Sequence, residues 1–148
     1  MENFNKLLKK GLELQKKGNF KEALKIYNEL ILKYKKNAQL LLFLGTLHLQ
    51  INNNEEAKNY LELSLDIEKN NITTISNLAL AYEKLEKKEE AIKLFKKSIE
   101  ISHNNPETFF RIANLYSSEK KYELAIENYQ KAIKLKPNFM FAYLNLGN

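Results

Sequence analysis

The chain has 148 residues and a net charge of +6. It contains no cysteine, which excludes disulfides, thiolate metal sites and a cysteine nucleophile. Its most apolar run, Leu40 to Leu49, is shorter than the roughly 20 residues a bilayer-spanning helix needs, and it holds His48.

Helices are expected throughout. The first runs from about Phe4 to Lys17, with Leu7, Gly11 and Leu14 on one face, and Gly18-Asn19 breaks it. The second runs from about Phe20 to Tyr34, with Ala23, Tyr27 and Leu30 inward. The third, about Ala38 to Ile51, is apolar nearly all round, and Asn52-Asn53-Asn54 forms the next turn. The fourth runs from about Asn54 to Glu68 and presents Ala57, Leu61 and Ser64; the fifth, from about Ile72 to Leu85, presents Ile75, Leu78, Ala79 and Tyr82. The sixth spans about Lys88 to Ser102, with Ala91, Phe95 and Ser98 inward. Pro106 suits the first position of a seventh helix reaching about Ser118. The eighth follows Lys121 and is stopped by Pro137, with Leu124, Ala125, Tyr129, Ala132, Ile133 and Leu135 as its apolar stripe. A ninth helix starts near Phe139 and is still running at Asn148.

Ala23, Ala57, Ala91 and Ala125 are separated by 34 residues each time, the period of a solenoid of helix pairs. Small residues at fixed places have a steric reason. Gly11, Gly45, Ala79, Ala113 and Gly147 are expected where the helices of a pair approach closely, opposite the four alanines. A larger side chain there overpacks by about 1–3 kcal/mol. Tyr27, Leu61, Phe95 and Tyr129 fill the wider space beyond.

This small-and-large pattern resembles the tetratricopeptide repeat over residues 4–148. The fourth unit carries it most fully, in Phe109, Ile112, Ala113, Tyr116, Ala125, Tyr129, Ala132 and Pro137. The first unit departs from it at Lys10, the second at His48, and Lys35, Lys69 and His103 replace the terminal proline. The resemblance implies an all-α, right-handed α-solenoid of antiparallel helix pairs. It would be a single domain over 1–148, with repeats at about 4–37, 38–71, 72–105 and 106–139 and the first helix of a fifth at 140–148. It also implies that the first helix of each pair lines a concave groove that binds peptide or protein segments, without catalytic chemistry of its own.

Groove-facing positions follow from 3-4-3 spacing offset from the packing face. They are Asn5, Leu8, Lys9, Leu12 and Lys16 on the first helix, and Gln39, Leu42, Phe43, Thr46, Leu49 and Gln50 on the third. The fifth helix offers Thr73, Ser76, Asn77, Leu80 and Lys84; the seventh Glu107, Phe110, Arg111, Asn114 and Ser118; the ninth Phe141, Leu144, Asn145 and Asn148. Leu42, Phe43, Thr46, Leu49, Asn77, Leu80, Phe110, Arg111, Asn114 and Asn145 form the candidate ligand face. Its apolar members exceed what a solvated groove needs, which marks a binding surface. The alternative is tight packing between first helices, which would bury Leu42, Phe43 and Phe110 within the chain.

Two binding modes of the family each find part of their residues here. The carboxylate clamp of chaperone cofactors is matched at Asn77 and Arg111 and lost at Leu42, Thr46 and Glu107. The asparagine ladder of glycosyltransferase-associated members is matched at Asn77 and Asn145 and interrupted by Phe43 and Arg111.

Other chemistries lack their residues. His48 and His103 stand on different repeats without metal-ligand spacing, and His48 is expected in the core with one nitrogen satisfied. There is no serine nucleophile motif or glycine-rich phosphate loop. Glu55-Glu56 and Glu89-Glu90 sit at helix starts, where negative charge suits the dipole. Neither catalysis, a metal nor a cofactor is expected. Lysines such as Lys58, Lys96 and Lys131 alternate with glutamates, and Arg111 is the only arginine, so no nucleic-acid partner is expected. RNA or polyanion binding stays the third reading.

The start, Met1-Glu2-Asn3-Phe4-Asn5-Lys6, has no apolar run of a signal peptide, so a cytoplasmic chain without a membrane partner is expected. The uncharged stretch Phe139 to Asn148 announces a fifth repeat whose second helix is missing. The expectation is the front of a longer protein, with self-association through the uncovered ninth helix. The main functional reading is a protein-interaction scaffold. The other is the substrate-recognition arm of a larger enzyme, such as a glycosyltransferase or sulfotransferase.

Overall fold

The computed structural model describes residues 2–147. They form helices α1 (Glu2–Lys16), α2 (Phe20–Lys33), α3 (Ala38–Gln50), α4 (Asn54–Ile67), α5 (Ile72–Lys84), α6 (Lys88–Ile101), α7 (Pro106–Ser118), α8 (Tyr122–Leu135) and α9 (Met140–Leu146), and no strand among the described residues. The expected starts of α2 to α7 hold, α1 begins two residues earlier than expected, the ends of α1 to α6 fall one residue short, and α9 ends at Leu146. The fold is an all-α helical-repeat solenoid.

The chain divides into two compact units, Met1–Lys87 and Lys88–Asn148. In the first, consecutive helices pack in order, and the first helices α1, α3 and α5 also touch their neighbours of the same kind. In the second, α6, α7, α8 and α9 pack consecutively.

The four alanines of the 34-residue phrase are all buried, as are Tyr27, Leu61, Phe95 and Tyr129. The steric argument holds at two glycines. A Cβ on Gly11 would lie 2.5 Å from Cε1 of Tyr27, and one on Gly45 would lie 2.5 Å from Cγ of Leu61. At Gly147, whose repeat has no second helix among the described residues, the nearest atom would be the Tyr143 carbonyl oxygen 3.6 Å away. Gly147 follows α9 as its C-cap rather than entering a helix contact. On α8, Leu124 and Leu135 lie outside the buried stripe at 41% and 40% exposure. The face of α8 that packs is narrower than its apolar residues suggest, and only Ala125, Tyr129 and Ala132 are buried on it.

The turns repeat as faithfully as the helices. The amide of Asn19 donates to the carbonyl of Leu14, Asn53 to His48, Lys87 to Tyr82 and Lys121 to Tyr116, each at 2.9 Å. The residues before them, Gly18, Asn52, Glu86 and Lys120, all have positive φ, between 59° and 80°. This is the Schellman closure, which satisfies the last carbonyls of a helix through one left-handed residue. The opposite ends are closed by asparagines. The side-chain oxygens of Asn37, Asn71 and Asn105 accept from the amides of Leu40, Thr74 and Thr108 at 2.9, 3.1 and 3.3 Å. Each is an N-cap.

Candidate functional site

In the first unit, the groove positions of α3 and α5 meet through a polar pair. Nδ2 of Asn77 donates to Oγ1 of Thr46 at 2.9 Å, and the Thr46 hydroxyl donates to the carbonyl of Leu42 at 2.8 Å. Leu42, Phe43 and Leu80 around this pair are half-buried. Near the inter-helix turn, Lys84 donates to Oδ1 of Asn52 at 3.2 Å. A second polar chain ties α2, α1 and α3 together. The Tyr27 hydroxyl donates to Oε1 of Gln15 at 2.9 Å, and Nε2 of Gln15 donates to Oε1 of Gln50 at 2.7 Å. Burial pushes the Tyr27 phenol up to about 12, so it is a fixed donor at neutral pH.

Two expected groove residues belong elsewhere. Leu49 is only 6% exposed and belongs to the core. Its helix is covered by α1, α2, α4 and α5, which leaves α3 less open surface than its neighbours have. Leu8 is buried in the cluster around Tyr27, Leu40 and Leu44.

The second unit repeats the polar pair in the same register. Nδ2 of Asn145 donates to Oδ1 of Asn114 at 2.9 Å, and the Tyr129 hydroxyl donates to the same oxygen at 2.6 Å. Thr46 and Asn77, like Asn114 and Asn145, are 31 residues apart: one repeat less three residues, close to one helical turn. Burial raises the Tyr129 pKa, which keeps its proton on the hydroxyl. These groups border an open cleft of about 540 Å³, which Ser117, Tyr122 and Ile126 also line. Sequence spacing did not single out those three. The exposed apolar residues Tyr122 and Ile126 on a second helix were the available signal.

Phe110 is half-buried, with its ring centroid 4.9 Å from Phe139 and 5.9 Å from Tyr129. Arg111 pairs with Glu107 one turn earlier at 3.5 Å. Asn148 lies outside the described residues.

His48 is buried and stacks on Tyr60 with ring centroids 5.4 Å apart. Its Nδ1 makes no hydrogen bond. Burial lowers its pKa, opposed by the Glu56 carboxylate. Among the described residues, no three metal-ligating side chains gather to hold an ion. No helix among them is long and apolar enough to cross a membrane.

Two sequence profiles of the tetratricopeptide repeat match the chain, one at residues 14–79 and the other at 73–105 and 106–139. No curated protein matches it. Among solved structures it is similar to MamA, at 25% identity over 93% of this chain and 80% of that one, with a TM-score of 0.87. It is also similar to YrrB, described as a TPR protein with an unusual peptide-binding site. There the identity is 21% over 93% of this chain and 71% of that one, with a TM-score of 0.87. The Cut9–Hcn1 hetero-tetramer of the APC/C matches at 23% identity over 98% of this chain and 29% of that one, with a TM-score of 0.88.

Proposed function

The chain belongs to the tetratricopeptide-repeat family, and we propose that it is a non-catalytic scaffold whose first helices hold a peptide or protein segment. The observation that carries this is the face around Thr46 and Asn77. Leu42, Phe43 and Leu80 keep part of their surface open beside hydrogen-bonding groups already fixed in place. Apolar anchors with a few oriented polar groups suit an extended segment that needs side-chain pockets and backbone partners together. Because the Asn77–Thr46 bond pre-orients the amide, a ligand need not pay the full cost of ordering it. In the second unit, Phe110, Arg111, Asn114 and Asn145 form a proposed face of their own. Leu49 is withdrawn from it because it is buried.

The test is selection of peptides from a displayed library on the immobilised protein, then titration of those peptides against wild type and a Leu42→Glu/Leu80→Glu variant. The variant should bind about a hundredfold more weakly, since each leucine contributes roughly 1.5 kcal/mol when its surface is covered. Circular dichroism checks that it remains helical. Peptides bound equally by both proteins would place the binding surface elsewhere.

A further inference from the structure

The net charge of the chain resides in one hairpin. Residues 1–37 hold ten lysines and four glutamates, a balance of +6 that equals the net charge of the whole chain. Residues 38–148 hold fourteen basic and fourteen acidic side chains and are neutral. All ten lysines are exposed, and among the described residues none of their side chains enters an ion pair or hydrogen bond. Elsewhere in the chain, Lys58, Lys121 and Lys131 are paired with carboxylates.

The hairpin also breaks the repeat at one place. Leu32 is 73% exposed, the highest value among the large apolar side chains described. At the same position the later repeats carry Asp66, Glu100 and Lys134. Two residues on, Tyr34 stands where they carry Glu68, Ser102 and Lys136. Leu32 and Tyr34 alternate with Lys33 and are followed by Lys35 and Lys36, all at the end of α2 and the start of the next turn. The Tyr34 ring is braced on Phe4, with centroids 4.4 Å apart.

From this juxtaposition we propose that the first hairpin docks on an anionic lipid surface, with Leu32 and Tyr34 entering the headgroup layer and the lysines facing lipid phosphates and carboxylates. This revises the expectation of no membrane partner and does not depend on the groove reading. Charge complementarity supplies the attraction: each lysine near an anionic leaflet contributes about 1 kcal/mol, Lys33, Lys35 and Lys36 adjoin the two apolar side chains, and the rest of the hairpin adds positive charge. A protruding leucine favours lipid over an acidic protein. A protein would need a matching pocket for it, whereas a bilayer interface yields to its shape. Nucleic acid is disfavoured because the hairpin has no arginine and its exposed ring already lies against Phe4 rather than open for base stacking.

The test uses the full chain in co-sedimentation with vesicles of phosphatidylcholine alone and of phosphatidylcholine with phosphatidylserine, at low and at physiological salt. Wild type should partition onto the anionic vesicles only, and less at higher salt. Lys33→Ala/Lys35→Ala/Lys36→Ala should weaken partitioning about a hundredfold, and Leu32→Asp about tenfold. These positions are exposed, so circular dichroism should be unchanged. Absence of binding to anionic vesicles, equal binding to both compositions, or full binding by the triple-lysine variant would overturn the proposal. Full binding by Leu32→Asp would refute insertion. Capture of a short RNA or polyglutamate in preference to the vesicles would reassign the surface to that partner.

Discussion

At the scale of the residue, the four left-handed turn positions show what the repeat costs. A Cβ in this conformation is disfavoured by about 1–2 kcal/mol, and only glycine escapes the penalty. Gly18 does so, with no atom within 4 Å of where a Cβ would stand. Asn52 tolerates the conformation better than most residues. Glu86 and Lys120, at φ of 60° and 59°, bear it in full. Lys120→Gly should therefore stabilise the protein by about 0.5–1 kcal/mol, the strain relieved less the added freedom of the unfolded chain. Urea denaturation should show a higher midpoint with an unchanged slope. Gly18→Ala should move the midpoint the other way, and a fall for Lys120→Gly would contradict the strain account. From residue type alone, these turns are legible at Gly18 and in the Asn52-Asn53-Asn54 run. Glutamate and lysine at the other two carry no turn signal, and only the 34-residue register reveals them.

At the scale of the element, the α3–α4 pair is distinguished by one substitution. His48 occupies the position filled by Tyr82 and Tyr116 in later repeats. It is buried against Tyr60, with Nδ1 unpartnered and its pKa held below the ordinary value by burial. The unfolded chain takes up a proton at about pH 6.5, before the folded one does. The stability His48 contributes is thus present above that value and lost as pH falls through the folded pKa. His48→Phe should raise stability by about 1 kcal/mol at pH 7, since it removes a buried unsatisfied nitrogen. It should also flatten the decline below pH 6.5, measured by thermal melts at a series of pH values. An equal decline in both proteins would assign the acid sensitivity to other groups. Helix faces were legible where apolar residues sit at strict spacing, as with Ala23, Tyr27 and Leu30. They were less so where a helix has more apolar residues than neighbours. Leu124 and Leu135 read as core and are exposed, while Leu49 read as groove and is buried, because covering depends on adjoining helices and not on the helix's own period. The Thr46–Asn77 and Asn114–Asn145 pairs were half legible. Spacing put all four on one face, but that they bond in pairs 31 residues apart is a property of how first helices neighbour one another.

At the scale of the whole molecule, a repeat array distributes its stability by neighbours rather than around one centre. The 34-residue period runs without a break through Lys87 and Lys88, so the division into two units at that point was not visible in it. Within each unit the number of covering helices differs sharply. In the first, α3 is flanked by α1, α2, α4 and α5 and buries Leu40, Leu41, Leu44 and Leu47. In the second, α9 packs on α8 and leaves Met140, Phe141 and Leu144 exposed at 70%, 66% and 56%. It buries Ala142 alone and is seven residues long, too short to hold its own hydrogen bonds in water. Opening free energies should follow this order, because local unfolding starts where few apolar contacts are lost. Hydrogen–deuterium exchange should find the α9 amides exchanging first and those of α3 last in their respective units, with α7 slower than α9. The difference between α9 and α7 should span at least about a hundredfold in protection, equivalent to roughly 3 kcal/mol. Protection in α9 equal to that in α7 would mean that something other than nearest-neighbour burial holds it, and the additive account of the array would fail with it.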